Sequence, residues 1–258
     1  MLLVIDIGNT NIVLGIYKDE ELIYDWRIST DKDKTTDEYG LMLMQILNNT
    51  KLEIEDISDI IISSVVPTVM DILPEVCIKY FKIDPIVIGP GVKTGMNILY
   101  DNPKEVGADR IVNGVAAYNK YGGPLIVVDL GTAITFDVIN EKGDYLGGVI
   151  TPGIKISADA LFLRASKLPK VEITKPEKVI GKNTVNSIQS GLVHGYVGLI
   201  DHIIEKIAEE LELEISEITI VATGGFSKVI SSESKYIQKM DQMLTLEGLR
   251  IIYERNKN

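Results

Sequence analysis

Cysteine, histidine and positive charge are all scarce in this chain. Its 258 residues include one cysteine and two histidines. The lone Cys77 rules out a disulfide within the chain, fits a reducing compartment, and lies in an apolar periodic stretch that reads as core. His194 and His202 share a helical pattern without cysteine or a nearby acidic set, whereas zinc needs three or four convergent ligands. Lysine and arginine number 26 against 37 acids, a net charge of −11, which disfavours a nucleic-acid backbone as partner. Small anions remain eligible, since a nest of backbone N–H groups binds them whatever the global charge. No apolar run approaches the ~20 residues that span a bilayer. The opening "MLLVIDIG" meets an acid before any basic leader, so a cytoplasmic protein without membrane contact is expected. Three phosphate-handling signatures are also missing: GxxxxGK[ST], a strand-linked GxGxxG and an HRD-type loop.

The chain does contain apolar strands that end in carboxylates. "LLVIDIG" reads as a strand buried on both faces, and "IVLGIYKDEELIYDWRIST" as two strands around the turn "KDEE". "TDEYGLMLMQILNN" has a helical start and spacing, and "DIIISSVVP" is a further strand. Pro67 is expected to open a helix through "VMDILPEVCIKYF", with Pro74 marking a kink. A short strand "DPIVIGPG" follows, then a helix over "PKEVGADRIVNGVAAYNKY" with Pro103 at its start. After "GGP" at 122–124 the pattern restarts: "LIVVDLGTAITFDVINEKGDYLGGVITPG" is again strand, hairpin and strand. Superposing the halves puts Val4 on Val127, Asp6 on Asp129 and Gly8 on Gly131, a constant offset of 123. Helical patterns at 153–165 and 183–211, the strand "EITIVATGG" and an amphipathic "TLEGLRIIYERN" complete the chain. The expectation is a duplicated α/β unit, residues 1–121 and 122–258, with a ligand cleft between the copies.

A carboxylate at the end of a buried strand is costly unless it meets a cation or donors. Asp6 is followed by Gly8, which lets a backbone approach closely, and by Asn9, Thr10 and Asn11, which supply neutral donors. That set suits a magnesium-bound triphosphate, because magnesium takes oxygen ligands. It equally suits a tight hairpin turn, and only the echo at "DLGT" and the "TGG" at 223–225 favour the ligand. In "GADR", Asp109 could take a proton from a substrate hydroxyl and Arg110 could grip an anion. A solvated first helical turn with Asp at the positive dipole end explains the same residues.

Together "DIGNTN", "GADRIVN", "DLGTAITFDVI", "YLGGVITPG", "GKNTVNSIQSG" and "ATGG" resemble the type III pantothenate kinase family, across nearly the whole chain and in order. The resemblance implies duplicated ribonuclease-H-like domains of the actin, hexokinase and Hsp70 ATPase superfamily, and transfer of the ATP γ-phosphate to pantothenate. It implies that Asp6, Ile7, Gly8, Asn9, Thr10, Asn11, Ile12 and Val13 bind ATP, with Asp6 organising magnesium through the phosphates and Thr132 a further ATP contact. It implies too that Gly107, Ala108, Asp109 and Arg110 bind pantothenate with Tyr100 and Thr184, Asp109 being the proton acceptor. By the same resemblance Asp129 matches a site for a monovalent cation, potassium or ammonium. A homodimer is implied as well. Another kinase or a phosphatase of the superfamily, and a regulatory relative that binds without turnover, are the alternatives. The pantothenate-pocket positions speak against the former, and retention of Asp6 and Asp109 against the latter.

Overall fold

A computed structural model describes residues 1–257. The chain packs as two units. The first comprises Met1–Met96, Asn102–Ala116 and Thr245–Asn258, the second Asn97–Asp101 and Ala117–Leu244. This differs from the expected cut after residue 121. Residues 117–121 pack with the second unit, residues 97–101 join it from upstream, and the C-terminal helix returns to the first.

In the first unit, β1 (Leu2–Ile7), β2 (Asn11–Lys18), β3 (Glu21–Ser29), β4 (Asp59–Ser64) and β5 (Ile86–Val87) form one sheet in the order β3-β2-β1-β4-β5. β1 runs antiparallel to β2 and parallel to β4. Alternation along β1 sends Leu3, Ile5 and Ile7 to one face, where they pack with Tyr39, Leu43 and Leu47 of α1 (Thr36–Asn48). Thr35, one residue before the expected "TDE" start, caps α1 reciprocally with Glu38. The expected single helix from Pro67 breaks into α2 (Pro67–Met70), α3 (Leu73–Val76) and a wide turn over Cys77–Phe81. Pro74 cannot donate a backbone hydrogen bond and stands in the first turn of α3, just after the interruption at residues 71–72. Pro103 likewise opens only a short turn, Pro103–Glu105, and α4 (Ala108–Tyr121) begins after Gly107. The other side of the sheet takes α8 (Leu244–Asn256). A Cβ at Gly15 would touch Leu246, and one at Gly248 would meet the Val112 carbonyl of α4.

The second unit repeats this plan. Its β6 (Leu125–Leu130), β7 (Ala133–Ile139), β8 (Tyr145–Pro152), β9 (Thr219–Thr223) and β10 (Lys239–Met240) run in the order β8-β7-β6-β9-β10. Each pairing has the sense of its counterpart in the first sheet. The two-residue β10 was not expected, since so short a strand leaves no periodicity to read. One face of this sheet buries Ile126, Val128, Leu130 and Phe136 against α5 (Ile154–Arg164) and α6 (Thr184–Leu211), with α7 (Ser227–Ser231) beside them. No helix among the described residues is long and apolar enough to cross a membrane.

Candidate active site

β1 and β6 have the same burial pattern, four buried residues, a half-buried aspartate and a buried last residue. Asp6 and Asp129 therefore occupy equivalent positions in the two units, on the face opposite Ile7 and Leu130. Each is next to a strand that supplies a hydroxyl residue in register: Ser63 beside Asp6 and Thr223 beside Asp129. The buried Ser63 Oγ donates to Asp6 Oδ1 at 3.0 Å, which fixes the carboxylate's rotation. Sequence reasoning passed over Ser63. The signal available was the small polar pair ending "DIIISS", at the same rank as Asp6 in the neighbouring strand.

The turn after β1 is closed by the Gly8 N–H donating to the Asn11 carbonyl at 2.9 Å, and the equivalent Gly131 N–H donates to Ala133 at 3.1 Å. The hydroxyl of Thr30 donates to the Gly8 carbonyl at 2.6 Å. Asn9 and Thr10 stay exposed at the tip, Asn11 and Val13 are half-buried, and Ile7 and Ile12 are spent on the core. What Ile7 and Ile12 can offer a ligand is backbone.

The same unit brings "GADR" beside this turn. Val65, which follows β4, donates its N–H to the Ile7 carbonyl at 3.0 Å, and its Cγ1 lies 3.7 Å from where a Gly107 Cβ would stand. Gly107 caps α4 by accepting from Arg110 and Ile111, and Ala108 is half-buried in the first turn. A Gly107 Cβ would fall 2.6 Å from Asp109 Oδ1, so only glycine lets that carboxylate fold back over the helix start. Oδ1 there accepts the Arg110 N–H at 2.8 Å. Burial pushes the Asp109 carboxyl above its ordinary range, against the lowering pull of that hydrogen bond and of the Arg110 charge. Arg110 itself is buried.

In the second unit Gly224, at φ +87°, packs against Asp129: its Cβ would stand 2.4 Å from Oδ1 and 2.7 Å from the Leu130 carbonyl carbon. The "TGG" glycine is thus required by backbone conformation and by the carboxylate it covers. Thr132 is exposed at the β6–β7 turn and accepts the Gly153 N–H at 3.1 Å. Tyr100 rests against Tyr145, ring centroids 6.4 Å apart. Thr184 stands elsewhere, at the start of α6, where it lines a cavity of about 590 Å³ with Leu161, Leu168, Lys182 and Ser187. That lining includes neither Tyr100 nor Asp129. Among the described residues no group of three or more His, Cys, Asp or Glu side chains is placed to hold a metal.

The profile of type III pantothenate kinases matches residues 2–206. The chain belongs to that family. Solved structures agree on the fold of the actin-like ATPases. A Campylobacter jejuni protein carrying the name of a Baf family transcriptional activator superposes with a TM-score of 0.60 at 21% identity, covering 98% of each chain. An activator of 2-hydroxyisocaproyl-CoA dehydratase from Clostridium difficile, with bound ADPNP, gives 0.53 at 12%, covering 99% of this chain and 94% of its own. A Porphyromonas gingivalis protein carrying the name of an N-acetylglucosamine kinase gives 0.52 at 14%, with both chains covered completely. The two five-stranded sheets of this pantothenate kinase family member are accordingly two ribonuclease-H-like units, the duplicated fold that these solved structures share.

Proposed function

We propose that the chain phosphorylates pantothenate at its primary hydroxyl with ATP, the first committed step of coenzyme A synthesis. The observation that carries this reading is the seating of "GADR" beside the β1 turn, with a half-buried Asp109 whose carboxyl is raised by burial. Phosphoryl transfer needs positioning more than covalent chemistry. Asp109 accepts the hydroxyl proton as the substrate oxygen attacks the γ-phosphorus, and ADP leaves. Gly107, Ala108 and Arg110 hold the acceptor beside Asp109, Arg110 pairing with the pantothenate carboxylate, and Tyr100 and Thr184 complete its binding.

The residues fit a magnesium–triphosphate. Asp6 offers a carboxylate oriented by Ser63, and Asn9, Thr10 and Asn11 add oxygen and amide groups around a glycine turn, a hard-donor set of the kind magnesium prefers. Bound magnesium would neutralise charge on the transferring group. Asp6 would organise the metal through the phosphates. Asp129, covered by Gly224, takes a monovalent cation, and Thr132 a further contact with ATP.

We further infer a homodimer in the cytoplasm. What supports self-association is exposed apolar surface around the start of α6: Leu163 is 76% exposed, Ile180 82%, with Phe162, Val179 and Val185 also open. The cytoplasmic assignment rests on Cys77 being the single cysteine, so that the chain forms no disulfide of its own.

The test is turnover of an acceptor panel, pantothenate beside hexosamines and hexoses, with ATP and magnesium in potassium and in sodium buffers. Pantothenate should be the phosphorylated acceptor, faster in potassium. Transfer to a sugar instead would replace the substrate assignment, and equal rates in both salts would remove the cation from Asp129. ATP and pantothenate binding without turnover would favour the regulatory alternative.

A further inference from the structure

Asp137 is a carboxylate with no exposed surface, in the middle of β7. An ion in that position is costly unless its oxygens are well used. Both are: Oδ1 accepts the Tyr145 hydroxyl at 2.8 Å and Oδ2 accepts the Thr135 hydroxyl at 3.0 Å. Tyr145, at the start of the edge strand β8, is itself fully buried. Its backbone grips the segment 97–101 from both sides. The Tyr145 N–H donates to the Asn97 carbonyl at 2.8 Å, and the Leu99 N–H donates to the Tyr145 carbonyl at 2.8 Å, so Ile98 lies beside Tyr145 as a one-residue parallel bridge. The next residue is Tyr100, whose half-buried ring leans on the Tyr145 ring at 55°.

A second neighbour completes the seat. Gly147 has φ +139°, a conformation side-chain-bearing residues rarely adopt, and its Cβ position lies 3.7 Å from the Tyr100 ring. The ring therefore rests on a floor of Tyr145 and bare backbone. The first glycine of "YLGG" is thus required by its backbone conformation.

We propose that Asp137 and Tyr145 are positioning residues for Tyr100. The buried carboxylate holds the Tyr145 hydroxyl, Tyr145 holds residues 97–101 through its backbone and ring, and Tyr100 is thereby presented to the acceptor substrate in one orientation. This rests on the reading that Tyr100 contacts pantothenate. A buried Tyr–Asp pair serving only the core would have no reason to be coupled, through one residue, to a short segment that crosses from its own stretch of sequence to this sheet edge.

The experiment is Tyr145→Phe, which removes the hydroxyl but keeps the ring and the backbone bridge. Hydrogen exchange in the ligand-free protein should accelerate over residues 97–101 and stay at wild-type values elsewhere. KM for pantothenate should rise roughly three- to tenfold, the effect of losing one hydrogen bond, while KM for ATP and kcat at saturation hold. Unchanged exchange at 97–101 with unchanged KM for pantothenate would overturn the proposal. So would faster exchange spread over the whole second unit, which would mark Tyr145 as core support alone. If the wild-type protein fails to phosphorylate pantothenate, the functional reading falls, and the local exchange result still decides whether Tyr145 positions Tyr100.

Discussion

Asp109 sits in the first turn of α4, where the helix dipole and the Arg110 N–H both favour its charged form. Burial outweighs them, and the carboxyl titrates above its ordinary range. Two consequences follow at this scale. A general base must be ionised, so kcat/KM for pantothenate should fall in acid with an apparent pKa above the usual carboxylate range. Asp109→Asn should keep the fold while losing about 10²–10⁴-fold in kcat, the range typical of removing a positioned base. Near-normal turnover of that variant would move the base elsewhere. The stability effect has the opposite sign. A folded-state pKa above the unfolded one favours folding at low pH and opposes it once pH rises through the raised value. Asp109→Asn should therefore melt higher than wild type at neutral pH, with the difference closing below the unfolded carboxylate's pKa. The motif that holds Asp109 was legible in "GADR", but its neighbour Val65 was not, because the contact joins residues far apart in sequence.

Among the elements, α8 comes close to α4 in the first unit at a glycine. A Cβ on Gly248 of α8 would lie 2.2 Å from the Val112 carbonyl oxygen of α4 and 2.7 Å from its Cγ1. Gly248→Ala, though better for helix propensity, should push the helices apart and cost about 1–3 kcal/mol, the usual range for overpacking. Chemical denaturation would show it, and a variant as stable as wild type would mean that the helices adjust freely. Strands and long helices were readable because their periodicity runs for many residues, as in β1, β6 and α6. The reading failed where local chemistry interrupts a pattern. Pro74 and Pro103 each occur within apolar stretches of helical spacing, yet each stands in the first turn of a short element, since a proline tolerated in a first turn is not tolerated further in. β10 has two residues and is defined by its partner β9 alone.

For the whole molecule, the 123-residue offset seen in the sequence survives as two sheets of matching strand order and matching strand-end carboxylates. The division into sequential halves was less legible. The apolar face of α8 gives no sign of which sheet it will cover, and in the structure Leu246 reaches Gly15 of β2. Self-association belongs to this scale too. Ile180→Asp places a charge in the open apolar surface beside α6 and should convert a dimer to monomer in sedimentation experiments, with the monomer's melting temperature little changed. A dimer that tolerates the substitution would place the interface elsewhere. The central claim is tested most directly by incubating the purified chain with pantothenate, magnesium, potassium and γ-labelled ATP, and following the label. The account predicts that label moves to the pantothenate hydroxyl and that Asp109→Asn abolishes most of the transfer. Label that stays in ATP, or passes only to another acceptor, would contradict it.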